Sequence, residues 1–419
     1  MKKLLLAGLL ALCMSILSFA GGSNDGAGKT ITLNLWHIQT QEGSRVAIDN
    51  AARRFEAANP GVKVNVSVYE NDPYKTKIKT VTGDEFPDVF HSWGGGWLKS
   101  FVDAGLVQDI TNESKAWAAK VSADALRFNS FDGKVYGSPY ANTSTPLYYN
   151  KSLFDKYGLK FPETWAELEA VCDTFIKNGI YPFALGNRSK WPGAQHFVYL
   201  SMRLGGPDIF QRALDKQVKF TDPAFIQAGE LLLDMVKKGW FPDGVNGINY
   251  DTGGSRMMFY TEQCAMIVQT SGFLTSCKSE APDFYRDKLA VGLYPAIASG
   301  KGKNTDLLAG ENAFSVASTS KNKELAIKLI EFMSIDPQFQ QDMVEAGRLP
   351  SLLGVKATDI HSAAAQQQIA NASYMQNFID QTLSPALGEV HKDTVQALFG
   401  GTMTSQQAAE EMQRNFDLE

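Results

Sequence analysis

The sequence predicts an α/β fold in which mostly parallel sheets are flanked by helices and divided between two domains. The chain begins with a β-α-β pattern, which favours a mostly parallel sheet with helices on its faces. Its 419 residues are too many for one compact domain. No linker-like stretch separates the two halves, so we expect the chain to cross between the domains several times.

The first elements follow from hydrophobic periodicity. Residues 31–36 alternate as a strand, and a helix follows that ends at Asn59-Pro60-Gly61. Val62, Val64, Val66 and Val68 alternate as the second strand, and residues 88–91 form a short third one. Glycines 94–96 follow directly, and glycine after a strand lets a ligand or another segment approach the backbone closely.

Later helices carry recognisable start and stop signals. Thr164 and Glu167 form a capping box that begins a helix ending near residue 179. Asp222-Pro223 begins a helix that ends near Gly239, and Asp336-Pro337 begins one that ends at Gly347. Residues 322–333 carry apolar side chains at helical spacing.

Residues 1–20 are predicted to be an export signal. Lys2 and Lys3 precede an uncharged apolar run, and small residues at 18 and 20 suit a cleavage site. Residues 21–29 form a glycine-rich flexible spacer. We therefore expect the protein in the periplasm or at the outer face of the cytoplasmic membrane, with an uncleaved or lipid anchor as the alternative.

The cysteines argue against a metal centre. After removal of the signal, three remain, Cys172, Cys264 and Cys277, an odd number without CxxC spacing. Cys264 and Cys277 either pair or lie buried as small apolar residues. No cofactor and no metal are expected.

Composition and motifs reduce the number of function classes. The formal net charge of -5 argues against a nucleic-acid partner. The sequence lacks HExxH, GxSxG, P-loop and GxGxxG motifs. Nothing singles out a glycosidase carboxylate pair among the acidic residues. We expect no enzyme, with a secreted carbohydrate-active enzyme as one alternative.

Aromatic residues at strand ends indicate a carbohydrate ligand. In α/β sheets, ligands bind beyond the carboxyl ends of strands. An aromatic ring there suits the apolar face of a sugar, and nearby polar side chains can pair with its hydroxyl groups. The aromatic candidates are Trp36, Trp93, Tyr140 and Trp191, with Asn187 in the loop before Trp191.

Several motifs resemble one family. They are Phe86-Pro87-Asp88-Val89-Phe90, Tyr136-Gly137-Ser138-Pro139-Tyr140, Leu147-Tyr148-Tyr149-Asn150-Lys151, Leu153 to Leu159, Pro162 to Leu168, Cys264-Ala265-Met266-Ile267 and Ala309 to Phe314. From about residue 30 to the C-terminus, the chain resembles the extracellular solute-binding proteins of ABC sugar importers, related to maltose-binding and multiple-sugar-binding proteins.

The resemblance implies a two-lobed periplasmic-binding-protein type II fold with the ligand cleft between the lobes. Each lobe would be a mostly parallel sheet flanked by helices. The first lobe would hold residues 30–141 and 312–358, and the second 142–311 and 359–419.

The resemblance also implies cleft positions. From the family's ligand loops, the hinge strands and the segment after Gly347, the candidates are His37, Gln39, Gln41, Glu42, Ser92, Trp93, Tyr140, Asn142, Thr143, Ser271, Phe273, Gly310, Glu311 and Arg348. Phe273 lies where many relatives have a ring-stacking tryptophan, and Arg348 could donate a forked pair of bonds.

The implied function is transport reception. The protein would capture a sugar, with a di- or oligosaccharide favoured, by hinge closure. As a monomer, it would deliver that sugar to the membrane permease subunits of an ABC importer. The same fold binding a non-sugar solute is the other alternative.

Overall fold

The computed structural model describes residues 30–419, so the predicted export signal and spacer lie outside the described residues. The strands are Ile31–His37 (β1), Val62–Val68 (β2), Val89–Ser92 (β3), Ser130–Phe131 (β4), Lys134–Val135 (β5), Ser138–Ser144 (β6), Leu147–Asn150 (β7), Tyr181–Phe183 (β8), Cys264–Val268 (β9), Leu289–Gly292 (β10), Asp306–Val316 (β11), Leu349–Pro350 (β12) and Tyr374–Gln376 (β13).

Helices cover the faces of the sheets. They are Glu42–Ala58 (α1), Asn71–Thr80 (α2), Gly96–Asp103 (α3), Thr111–Ser114 (α4), Ala123–Phe128 (α5), Lys151–Lys156 (α6), Trp165–Lys177 (α7), Trp191–Gly205 (α8), Ile209–Leu214 (α9), Pro223–Lys237 (α10), Gly254–Tyr260 (α11), Gly272–Glu280 (α12), Pro282–Asp287 (α13), Lys323–Ile335 (α14), Pro337–Glu345 (α15), Ile360–Ala370 (α16), Ile379–Thr382 (α17), Pro385–Phe399 (α18) and Ser405–Phe416 (α19). Short 3-10 turns lie at Gly83–Glu85, Ala118–Lys120 and Val245–Gly247.

The elements predicted from the sequence are confirmed. The first three strands and the helix after β1 lie where the periodicity places them. The capping box at Thr164 and Glu167 forms at the start of α7. The Asp222 and Asp336 side chains accept backbone N–H bonds at the first turns of α10 and α15. Local capping chemistry therefore sets where these helices begin.

A seven-stranded sheet has the strand order β12-β6-β11-β3-β1-β2, with β13 beside the beginning of β11. Most of this sheet forms the first lobe, whereas β13 and the beginning of β11 pack with the second lobe's core. Buried side chains of β1 and β11 pack with α1, α14 and α15 on one face. The other face packs against α2 and α3. Strands β1, β2 and β3 run parallel, so their carboxyl ends meet at one edge of the sheet.

A four-stranded sheet forms the second lobe, in the order β10-β7-β9-β8. Helices α7, α8, α10, α18 and α19 bury one large apolar core against it. Helices α11, α12 and α13 cover the other face.

Strand direction differs from the mostly parallel arrangement that we expected. Strand β11 runs antiparallel to both β3 and β6, and β7 runs antiparallel to β9 and β10. The reason lies in the connections. A right-handed helical crossover returns the chain parallel, whereas β11 enters the first sheet from the other lobe and is free of that constraint.

Strand β11 links the two cores. Leu308, near its beginning, packs in the second lobe's core, whereas Phe314 packs in the first lobe's core. The neighbouring strand β6 leads through Thr145, whose N–H donates to the carbonyl of Leu308, into β7 of the second sheet. The chain thus passes between the lobes along adjacent strands, as the missing linker led us to expect.

The three described cysteines are free and buried, so the pairing of Cys264 with Cys277 is wrong. Burial raises the pKa of all three thiols. We expect folded protein (residues 21–419) to react slowly with Ellman's reagent and denatured protein to release three equivalents. Fewer than three equivalents without a reductant would contradict free thiols.

Candidate ligand-binding site

A cavity of about 380 Å³ lies between the two sheets. This volume lies within the range of small-molecule sites. Its wall includes Gln39 and Trp93, which follow β1 and β3 of the first sheet, and Trp191 and Thr270 from the second lobe. Both lobes therefore contribute to one concave surface.

Trp93 forms part of the first lobe's wall. Its ring packs edge-on against Trp97 and His91, with ring centroids 5.0 and 4.5 Å away. The ammonium of Lys75 lies 4.8 Å from the Trp93 ring centroid and donates to Asp380 Oδ2 at 3.1 Å. Lys75 holds a cation against the ring and, through Asp380, ties α2 to α17.

A hydrogen-bond network fixes the loop after β1. The Gln39 Nε2 atom donates to the Tyr140 hydroxyl at 2.8 Å, and that hydroxyl also bonds His91 Nδ1 at 3.0 Å. The Gln39 Oε1 atom accepts from Arg348 Nη2. Burial lowers the pKa of His91, so the imidazole is neutral. Tyr140, without lining the cavity, positions a residue that does.

Glu311 is a buried carboxyl group in the cavity wall. Its Oε1 atom accepts from the Gly94 N–H at 2.7 Å and from Asn129 Nδ2 at 3.0 Å, whereas Oε2 has no partner among the described residues. A Cβ on Gly94 would lie 2.4 Å from the Phe128 carbonyl oxygen, so this contact needs glycine. Burial raises the pKa of Glu311 to about 7.

The opposite wall presents Trp191 at the start of α8. Lys190, just before it, has a left-handed φ of 66°, a conformation that non-glycine residues seldom adopt. The Asn187 Oδ1 atom accepts the Gly193 N–H at 3.1 Å, and Asn187 Nδ2 donates to Asn246. Trp191 packs edge-on against Tyr250, with centroids 5.2 Å apart. The loop holds a half-buried indole toward the cavity.

Charged side chains of the second lobe are mostly paired. Arg256 donates two bonds to Glu280, at 2.9 and 2.6 Å, and its guanidinium lies over the Tyr250 ring. Asp251 accepts from Ser189 Oγ at 3.0 Å, and burial raises its pKa.

Several residues that line the cavity carry a buried polar atom with no hydrogen-bond partner among the described residues. These atoms are Glu311 Oε2, both amide atoms of Gln195, Gln381 Oε1, Trp191 Nε1 and His391 Nε2. Buried polar atoms of this kind cost free energy when they are left unpaired. A ligand rich in hydroxyl groups can donate to some of them and accept from others.

The structure brings seven of the residues suggested by the sequence to the cavity wall: Gln39, Gln41, Trp93, Thr143, Trp191, Glu311 and Arg348. It places ten others away from that wall: Trp36, His37, Glu42, Ser92, Tyr140, Asn142, Asn187, Ser271, Phe273 and Gly310. Most of these ten support the lining residues.

Supporting roles are visible in individual contacts. Ser92 Oγ bonds Ser315 Oγ at 2.8 Å, Asn142 Nδ2 donates to the Pro350 carbonyl, and the Ser271 N–H donates to the Ser144 carbonyl. His37 Nδ1 accepts the Gln39 N–H at 3.1 Å. A Cβ on Gly310 would lie 2.6 Å from Asn377 Oδ1, so glycine there lets the segment before α17 approach.

Three of the ten lie apart from this support. Phe273 is fully buried among Tyr148, Phe259 and Tyr260, because the first turn of α12 directs it into the core. Its ring presents no face to the cavity. Trp36 packs on Tyr69 outside the cavity, and Glu42 is exposed at the first turn of α1.

Sequence reasoning missed much of the wall. Glu70 and Asn71 follow β2, and the rule applied to the strand ends of β1 and β3 would have found them. No local signal marks Phe378, Asp380 or His391, because these residues reach the cavity only through tertiary packing.

Two kinds of feature are absent from the described residues. No group of three or more His, Cys, Asp or Glu side chains within residues 30–419 could hold a metal ion. Over the same residues, no helix combines the length and apolar character needed to cross a bilayer.

Known proteins share this architecture. A solved structure from work on xylan utilisation by the thermophilic bacterium Caldanaerobius polysaccharolyticus is 30% identical, with a TM-score of 0.86, covering 92% of this chain and 100% of that one. The multiple sugar-binding protein of Streptococcus mutans is 23% identical over 85% of this chain and 84% of its own. The sn-glycerol-3-phosphate-binding periplasmic protein of Salmonella typhimurium is 27% identical over 76% of this chain and 74% of its own.

These similarities confirm the two-lobed α/β fold class that the sequence predicts. Residues 39–337 match the sequence model of a substrate-binding family, the bacterial extracellular solute-binding proteins. The chain belongs to the bacterial extracellular solute-binding protein family.

Proposed function

We propose that the protein is an exported receptor that captures a di- or oligosaccharide between its lobes and delivers it to the permease subunits of an ABC importer. The observation that carries this proposal is the cavity wall. It combines indole rings from both lobes, Trp93 and Trp191, with polar atoms that have no partner within residues 30–419. That combination suits the apolar faces and hydroxyl edges of sugar rings.

Closure of the two lobes around the ligand follows from a cavity wall to which both lobes contribute. A ligand that contacts Gln39 and Trp93 on one lobe and Trp191 on the other favours the closed form, because only that form makes both sets of contacts. In this proposal the lobes are 30–141 with 312–358, and 142–311 with 359–419. The position of Leu308 in one core and Phe314 in the other supports the crossing near residue 311.

The receptor acts without chemistry and as a monomer. Two carboxyl groups of the wall are engaged in ion pairs, Glu280 with Arg256 and Asp380 with Lys75. Relatives that are named for binding sugars or sn-glycerol 3-phosphate support a binding role over hydrolysis.

A fluorescence titration of residues 21–419 tests the proposal. We expect saturable change at micromolar sugar within a panel of maltose, xylobiose, cellobiose, raffinose, glucose, galactose and xylose, with the sugar recovered intact by chromatography. Trp165→Phe, which removes an indole outside the cavity, is the control and should leave the response unchanged. Cleaved sugar would show that the protein is a carbohydrate-active enzyme instead. No fluorescence change with any sugar of the panel would show that these sugars are not ligands.

A further inference from the structure

One corner of the cavity carries a buried cation without an anion. Arg348 is 8% exposed and lines the cavity. Its Nε atom donates to Ser44 Oγ at 3.1 Å, and Nη2 donates to the side-chain oxygens of Gln39 and Gln41. All three acceptors are neutral. Among the described residues, no carboxylate forms an ion pair with Arg348, and Nη1 donates to no protein acceptor.

The other cavity cations differ in this respect. Arg256 is bonded to Glu280 at two nitrogens, and Lys75 is bonded to Asp380. An unpaired buried charge is costly. Burial lowers the pKa of Arg348, and the titratable groups that act on it are Tyr140 and Tyr250 rather than carboxylates. The guanidinium nevertheless stays charged, because arginine holds its proton in proteins.

The N-terminus of a helix lies beside the same guanidinium. Helix α12 begins at Gly272, which also lines the cavity. A Cβ on Gly272 would lie 2.5 Å from Arg348 Nη1, so the guanidinium edge passes directly over the first residue of the helix. The positive end of a helix dipole repels a cation and attracts an anion. Two positive features therefore lie together in the cavity wall.

We propose that this corner binds a carboxylate carried by the ligand, so that the preferred ligands are oligosaccharides that contain a uronic-acid residue. This inference rests on the proposed function and narrows its ligand class. A carboxylate fits better than a phosphate, because one guanidinium edge and one helix end supply the positive charge.

Matched ligand pairs test the proposal. Calorimetric titrations would compare glucuronosyl-xylotriose with xylotriose, and trigalacturonic acid with its methyl ester. We expect the acid of at least one pair to bind about 10-fold more tightly or better. Glycerol 3-phosphate and glucose 6-phosphate should bind more weakly than that acid.

Variants test whether Arg348 and Gly272 cause the preference for the acidic ligand over the neutral one. Arg348→Gln should reduce the ratio of acid to neutral affinity to about 3-fold or less, since it removes the charge-assisted bond. Arg348→Lys should keep part of that ratio. Gly272→Ala retains the charge and places a methyl group in the corner, so it should also lower the ratio. Arg45→Gln, which removes a partly exposed charge that pairs with Asp49 on α1, is the control and should leave the ratio unchanged.

The outcomes separate the two proposals. Three results would each overturn the carboxylate site and leave the receptor function intact. They are equal affinity for the neutral sugars and their acids, an unchanged preference for the acid in Arg348→Gln, and tighter binding of the phosphates than of the acids. No binding by any saccharide, acidic or neutral, would overturn both.

Discussion

Replacing Glu311 by glutamine is expected to stabilise the protein by about 3 kcal/mol at pH 8 and to change its stability little at pH 4. Glu311 is fully buried, and its pKa is raised to about 7 chiefly by burial, from an ordinary value of 4.5. The Gly94 and Asn129 donors and the charge of Arg127 oppose that rise.

The sign follows from proton binding. Between pH 4.5 and 7 the folded protein holds the Glu311 proton, whereas the unfolded chain has released it. The wild-type free energy of unfolding therefore falls as the pH rises through this window, and the full cost is present above pH 7. Glutamine keeps an oxygen for Gly94 and Asn129 and has no proton to lose.

Urea unfolding monitored by tryptophan fluorescence at pH 4, 6 and 8 would measure this difference. Glu410→Gln, at an exposed position on α19, is the matched control and should follow the wild-type profile. The buried histidines titrate in both proteins. Their contribution therefore cancels when the free energy of unfolding of one protein is subtracted from that of the other. Parallel profiles for wild type and Glu311→Gln would show that Glu311 is charged in the folded protein at neutral pH.

Removal of the Trp191 ring is expected to weaken saccharide binding about 10- to 100-fold. Trp191 is a half-buried indole on the second lobe's wall, and its Nε1 donor has no hydrogen-bond partner among the described residues. Alanine removes both the face that contacts the sugar and the donor. Titration of Trp191→Ala with the tightest sugar of the panel measures the effect by calorimetry.

Two control variants separate the contribution of the aromatic face from that of the N–H donor and test whether the effect is specific to the cavity. Trp191→Phe keeps an aromatic face and loses the N–H, so its affinity should fall between those of the wild type and Trp191→Ala. Trp165→Phe lies on α7 outside the cavity and should bind like the wild type. An affinity within twofold of wild type for Trp191→Ala would remove the indole from the binding surface.

Local chemistry made part of the fold predictable. The alternating valines of β2, the capping box at Thr164 and the caps at Asp222 and Asp336 act within a few residues, and each forms as predicted. Strand direction was less predictable, because the path of β11 from one lobe to the other sets it. The spacing of residues along the sequence does not indicate that path.

The candidate site divides in the same way. Gln39 and Trp93 follow parallel strands, so a rule about strand ends finds them. Lys75 and Asp380 meet in the cavity from positions far apart in the chain, and no local pattern links them. Phe273 shows the opposite failure, since one turn of helix directs a suitable residue type into the core.

A crystal structure of the protein with the tightest-binding saccharide tests the central claim most directly. We expect one sugar chain in the cavity between the sheets, in contact with Gln39 or Trp93 of the first lobe and with Trp191 of the second. Its hydroxyl groups should bond polar atoms that lack protein partners, Glu311 Oε2 and the Gln195 amide among them. A sugar bound to the outside of one lobe, with the cavity between the sheets unoccupied, would contradict it.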